Sequence, residues 1–295
     1  MGGPLKSALT HPIRHWLLLL ACMVSWGVSN PLADLAVTHF SPITLTLIEC
    51  LTGFLFLLIT TLVRRGGVRG IRWRYLWWIG LLQPFAAWML GNYGYRSATA
   101  STGVIILSSE AIFSLLIARI WLAHTFSRQT LIATLFGIAG VALAAGGSFS
   151  LHAGDGAIYF LASALLFGIY SSATRRYLTD EDPLALALAQ TGVSSIAAIS
   201  LFSIAHPHVG SIATHYWVAA IASGIFGVGL PFVAFNYLSS QMPSKITGSA
   251  LNLIPVAGVA ASAILGRGIP TAIQAIGGVI VLASIWGVSR TTITE

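Results

Sequence analysis

The chain has 295 residues, of which 56% are hydrophobic and only 8% are Asp, Glu, Lys or Arg, with a formal net charge of +7. A soluble domain carries about 25% charged residues, so water cannot be the solvent for most of this surface, and lipid takes its place. The same composition excludes disorder, a coiled coil and a disulfide scaffold; Cys22 and Cys50 lie inside apolar runs and read as packing residues.

Ten apolar windows can be cut along the chain, at 16–38, 42–63, 75–95, 101–122, 129–149, 156–174, 183–204, 216–238, 246–266 and 271–289. Each has about the 20 residues that cross the hydrocarbon layer. The first runs from Trp16 to Thr38 and carries Asn30, Pro31 and Asp34, so it reads as a span and not as a signal-peptide core. Spacing near Ser97 and near Gly268 is short enough to leave counts of nine or eight open. Charge decides between them. With ten spans and a cytoplasmic N-terminus, 13 of the 15 Lys and Arg residues face the cytoplasm, leaving Arg96 and Arg267 outside, as the positive-inside rule requires. Trp73, Tyr75, Trp77 and Trp78 then fall in an interfacial aromatic belt. No basic patch is presented by a soluble domain, so nucleic acid is not expected as a partner; membrane lipid is.

The second half repeats the first. An offset of 141 lays Trp26-Gly27 on Phe167-Gly168, Pro42 on Pro183 and Tyr75 on Tyr216, while an offset of 144 lays Asn92-Tyr93 on Asn236-Tyr237. Five spans is an odd number, so the two copies must enter the membrane in opposite senses. The expected fold is therefore an all-α integral membrane protein of ten transmembrane helices in two inverted five-helix repeats, residues 1–150 and 151–295. Inverted repeats around a midplane site are a transporter architecture.

Polar groups at membrane depth need a reason to be there. Glu49 and Glu110 read either as cavity groups that receive a substrate ammonium or carry a proton, or as polar contacts between helices; Asp34 and Arg119 read as end-of-helix groups that snorkel to the interface. On a regular helix, Trp78, Phe85, Trp88, Asn92 and Tyr95 of the third span share an arc of about 100 degrees, with Gly80, Gln83, Ala87, Gly91 and Gly94 opposite. The aromatic stripe either stacks flat substrates or faces lipid, and Gln83 either lines the path or bonds a neighbouring helix. Asn30, Asn236 and Asn252 stand near prolines whose missing amides free backbone carbonyls, as at a transport site or a structural kink. Trp26 and its repeat mate Phe167 are cavity walls or core knobs. The candidate substrate-binding set is Trp26, Asn30, Trp78, Gln83, Trp88, Asn92, Tyr95, Glu110, Asn236 and Asn252.

Ser25-Trp26-Gly27-Val28-Ser29-Asn30-Pro31, the Pro42 start of the second span, and Asn92-Tyr93 leading to Glu110-Ala111-Ile112-Phe113 resemble the EamA family of the drug/metabolite transporter superfamily. Within it the chain is most similar to the YddG-type aromatic amino-acid exporters. Family members often carry Glu-Pro where this chain has Glu110-Ala111, so no role for Glu110 is carried over. The resemblance implies an inner-membrane efflux protein for small metabolites, with a central cavity between the halves.

No P-loop, GxSxG elbow or HExxH helix occurs, and no cofactor is expected. His206, His208 and His215 read as solvated loop residues, with no metal site expected. The reading is a non-enzymatic secondary transporter of the bacterial inner membrane with both termini cytoplasmic. It exports small molecules, aromatic or other neutral amino acids foremost, and needs no obligate protein partner. The rivals are an intramembrane enzyme acting on lipid through Glu49 and Glu110, an assembly subunit, and a carrier of another solute class.

Overall fold

Apolar content makes these segments helical in lipid, because every backbone amide must be satisfied within the chain; proline decides where they break. The computed structural model describes residues 12–63, 73–121, 128–144, 156–178, 181–242, 250–251 and 253–290, all of whose regular structure is helical. The helices are α1 (Ile13–Val37), α2 (Pro42–Val63), α3 (Trp73–Gly80), α4 (Ala87–Tyr95), α5 (Ala100–Leu107), α6 (Glu110–Trp121) and α7 (Arg128–Ala144). They continue as α8 (Ala157–Tyr177), α9 (Pro183–Ala205), α10 (Thr214–Gly224), α11 (Leu230–Gln241), α12 (Leu253–Ile264) and α13 (Ala272–Arg290). Six stretches are long and apolar enough to cross a membrane, among them Ile13–Val37, Pro42–Val63, Thr102–Trp121 and Thr214–Leu238. Asn252, the arginine-rich segment 64–72 and Lys245 lie outside the described residues.

Helix starts follow local chemistry. Asp182 caps α9, its Oδ1 accepting from the amides of Leu184 (3.0 Å) and Ala185 (3.1 Å), and Pro183 fills the first turn, where a missing amide costs nothing. The Ser41 hydroxyl accepts from the Thr44 amide at the start of α2.

Two helices are interrupted by π-helical stretches, Leu81–Ala86 between α3 and α4 and Ile225–Gly229 between α10 and α11. They begin 144 residues apart. Gln83 is locally extended (φ −150°, ψ 132°). Pro84 and Pro231 have no amide to offer the carbonyls of Gly80 and Gly227 four residues earlier. Each orphaned carbonyl is satisfied from the other half of the chain: Ser194 Oγ donates to Gly80 O at 2.7 Å, and Trp26 Nε1 to Gly227 O at 2.8 Å. In α1 the repair is local. Pro31 frees Gly27 O, and Asn30 Nδ2 donates to Trp26 O (2.8 Å) and Gly27 O (3.4 Å).

Packing crosses the halves in the same way. α1 lies against α10, α11 and α12, while α8 lies against α4, α5 and α6; α2 pairs with α9, and α7 with α13. Glycine sets the distance at both crossed contacts. A Cβ on Gly27 would sit 2.6 Å from Ala257 Cβ, and one on Gly168 2.8 Å from the Phe113 backbone. The space between the α1 group and the α8 group is the cavity described next.

Candidate functional site

A cavity of about 140 Å³, partly open, lies between α1 and α8 and is lined by residues of both interrupted helices. Its wall facing α1 is Trp26, Ser29, Asn30 and Ala33. The α4 side gives Trp88, Asn92 and Tyr95, with Gln83 from the break, and α8 gives Ser163, Phe167 and Tyr170. Phe232, Phe235 and Asn236 of α11, Ile254 and Pro255 of α12, and Glu110 at the start of α6 complete it.

The rings form a continuous series. Trp88 lies 5.5 Å from Phe167 and 5.9 Å from Phe232, between centroids; Trp26 lies 6.0 Å from Phe232 and 5.3 Å from Phe235. These are ordinary edge and tilted aromatic contacts. All five rings line the cavity, so a flat guest meets aromatic rings from both halves of the chain.

The polar groups fall into two kinds. Glu49 is completely buried, and its carboxylate accepts from Asn92 Nδ2 (2.7 Å) and from Ser223 Oγ; Asn92 Nδ2 also lies 3.0 Å from Thr46 Oγ1. Those bonds join α2, α4 and α10 into one knot, where an unpaired carboxylate would be prohibitive. Toward the end of the cavity where α1 finishes, Tyr95 Oη donates to Asn30 Oδ1 at 2.6 Å. The second kind is unengaged. Glu110 lines the cavity with no hydrogen bond or ion pair among the described residues, and one end of each of two amides, Gln83 Oε1 and Asn236 Nδ2, is buried without a partner. Among the described residues that line the cavity there is no Lys, Arg or His.

Eight of the ten candidate residues therefore share one cavity: Trp26, Asn30, Gln83, Trp88, Asn92, Tyr95, Glu110 and Asn236. Trp78 is not with them. It packs 6.3 Å from both Trp121 and Tyr177, at the end of the bundle where Trp73 and Trp77 are exposed. The regular-helix expectation for the third span fails at Gln83, whose extended backbone takes Trp78 out of phase with Trp88; Gln83 lines the cavity, and on α4 Ala87 and Gly91 do so alongside Trp88 and Asn92. Asp34 does not snorkel. It is 4% exposed and pairs with Arg267, whose Nε is 2.7 Å from Asp34 Oδ2 and whose Nη2 donates to Asp34 O at 3.1 Å. Ser223, Ser163 and Phe232 are not singled out by the sequence; the small-residue run from Gly224 and the proline at 231 mark the neighbourhood of Ser223 and Phe232, and nothing comparable marks Ser163. Among the described residues no group of His, Cys, Asp and Glu could hold a metal ion.

Long apolar helices around a cavity lined by both polar and aromatic groups define a multi-pass membrane protein of the small-molecule transporter class. The sequence profile of the EamA-like transporter family matches residues 14–146 and again 155–290, and the chain belongs to that family. It is 22% identical over 284 residues to the uncharacterized transporter YyaM of Bacillus subtilis, covering 92% of each chain. It is 26% identical over 210 residues to a probable terminal-alkyne amino-acid exporter of Streptantibioticus cattleyicolor, covering 70% of this chain and 69% of that one. A solved crystal structure superimposes with a TM-score of 0.70 at 17% identity, over 94% of this chain and 96% of the other, which shows the shared fold.

Proposed function

We propose that the protein is a secondary carrier that exports small amphipathic metabolites bearing an amino group, aromatic and other neutral amino acids among them, across the bacterial inner membrane. The observation that carries this reading is the position of the cavity: it is lined by residues of two interrupted helices, and it presents aromatic rings beside a free carboxyl. Interrupted helices beside a central site are how carriers expose backbone and polar side chains to a solute in an otherwise apolar layer. The relative from Streptantibioticus cattleyicolor, named a probable amino-acid exporter, supports the solute class.

The layout proposed with it is ten spans in two inverted repeats, residues 1–150 and 151–295, with both termini cytoplasmic. It is supported by the spacing of the two π-helical stretches, by the two successive matches to the family profile and by the distribution of Lys and Arg. Transport then proceeds by alternating access, the cavity opening to each side in turn.

Efflux of preloaded phenylalanine, tryptophan and leucine from proteoliposomes tests the carrier reading. Flux down the gradient that saturates with solute is expected. Passage of none of the three, with a correctly inserted protein, overturns the amino-acid assignment. Labelling of single cysteines placed near each terminus tests the layout, which requires both to react from the same side.

A further inference from the structure

Among the described residues the cavity lining has two carboxyl side chains, Glu49 and Glu110, and no cationic side chain. With both ionised these give a formal charge of −2, and with both protonated zero, so in no protonation state do the described lining side chains make the cavity positive. An amino acid brings an ammonium and a carboxylate together. The ammonium finds Glu110, which no other described group engages, but the carboxylate finds only neutral amides, those of Gln83 and Asn236, in a site that already contains two acids. Like charges at short range in a low-dielectric cavity repel strongly, and a neutral amide offsets only part of the lost hydration of a carboxylate. An ammonium without a carboxylate meets no such opposition. It also gains from the rings of Trp26, Trp88, Phe167 and Phe232, because aromatic faces attract cations and tryptophan does so most.

We propose that the cavity reads the ammonium and the ring of its solute and leaves the carboxylate unread, so that aromatic monoamines are better substrates than the corresponding amino acids, with Glu110 as the specificity-determining residue. The proposal rests on the carrier reading and narrows its substrate class.

The test uses three solutes that share a phenyl ring and differ only in charged ends: phenethylamine, phenylalanine and 3-phenylpropionate. Each is measured as counterflow in proteoliposomes containing the full chain. The amine should move fastest, and the acid slowest by about tenfold or more, the factor that corresponds to leaving one charged group unpaired. Phenylalanine moving as fast as the amine or faster overturns the inference and leaves the carrier reading intact. So does flux of leucine while none of the three phenyl solutes moves. No flux of any solute overturns the carrier reading; the preference is then read separately, from thermal stabilisation of the detergent-solubilised protein, which the amine should raise more than phenylalanine does. Glu110→Gln should lower amine flux about tenfold and narrow the gap between amine and amino acid, with Glu110→Asp restoring part of it. An unchanged ratio of the two fluxes in Glu110→Gln overturns the role given to Glu110, and an unchanged melting profile of that variant excludes misfolding as the cause of any loss.

Discussion

Where α1 and α4 finish, a single buried cluster runs from Ala33, Val37 and Phe40 through Tyr95 and Ile106 to Phe160 and Val281. Away from it the buried side chains separate into three groups. One gathers Leu19, Met23 and Leu238 around α1 and α11; a second gathers Leu76, Ile79, Ala173 and Leu178 around α3, α8 and α9; a third, smaller one joins Leu57, Leu184, Ala187 and Phe232 of α2, α9 and α11. The first end also carries a polar link across the cavity, from Asn30 to Tyr95. Continuity makes the difference: one end is sealed by a core shared between the α1 group and the α8 group, whereas away from it the buried side chains are divided among smaller cores and Ser114, Asn236 and Leu251 line the cavity. Helix α5 packs on α12, α8 and α1 together, whereas α6, beyond the interruption at Ser108 and Ser109, packs chiefly on α8. The break in the fourth span is thus where that helix gives up its contacts with α1 and α12 and keeps those with α8.

Removing the knot beneath the seal should have the largest effect. Glu49→Ala removes the shared acceptor of the Asn92 amide and the Ser223 hydroxyl, leaving them only Thr46 Oγ1 and Ser29 O, so a loss of about 2–3 kcal/mol in unfolding free energy is expected, together with loss of transport; thermal unfolding in detergent measures the first. Glu49→Gln keeps an acceptor and should recover most of the stability. Next comes Arg267→Ala, which strands a nearly buried Asp34. Because Arg267 is itself 25% exposed, the cost is put at about 1–2 kcal/mol, below that of a fully buried pair. The companion change Asp34→Asn in the same chain should restore much of it, and failure to do so would mean that the pair is not what holds the loop before α13 to α1.

A finer change addresses the seal directly. Tyr95→Phe deletes one hydrogen bond and no packing, about 1 kcal/mol, and should make a cysteine introduced at Ala33 react faster from the sealed side, because the bond spans the two groups. Equal labelling rates in the presence and absence of the Tyr95 hydroxyl would remove it from the seal. The smallest effect is reserved for Trp78→Phe, outside the cavity: transport should be unchanged, with a stability shift within about 1 kcal/mol. A transport defect there would place the aromatic cluster at the open end inside the mechanism.

Much of the site is legible along the chain because proline and polar residues at membrane depth are rare and each needs compensation. Asn30 beside Pro31, and Asn236 after Pro231, mark the neighbourhoods of the cavity on that ground. Two kinds of information are not local. The partner of Asp34 lies 233 residues away, so an isolated acid near a helix end reads as one that reaches for water. A helical projection also assumes a constant 100 degrees per residue, which Gln83 does not obey, and Trp78 on the far side of that break cannot be phased with Trp88. Ser223 is invisible for a third reason: one serine among many has no weight until Glu49 is placed opposite it.

The crossed contacts at Gly27 and Gly168 bear on how the chain is made. Helix α1 is the first described segment to leave the ribosome, yet the surface it fits, at Ala257, is 230 residues downstream. During synthesis it must wait in the bilayer with Asn30 unclaimed by Tyr95 and Trp26 unclaimed by Gly227, and α8, on arrival, fills a place beside α6 that no earlier helix occupies. Neither half expressed alone has its full set of neighbours, so a chain divided between residues 150 and 151 should yield a functional product only when both fragments are present in one membrane.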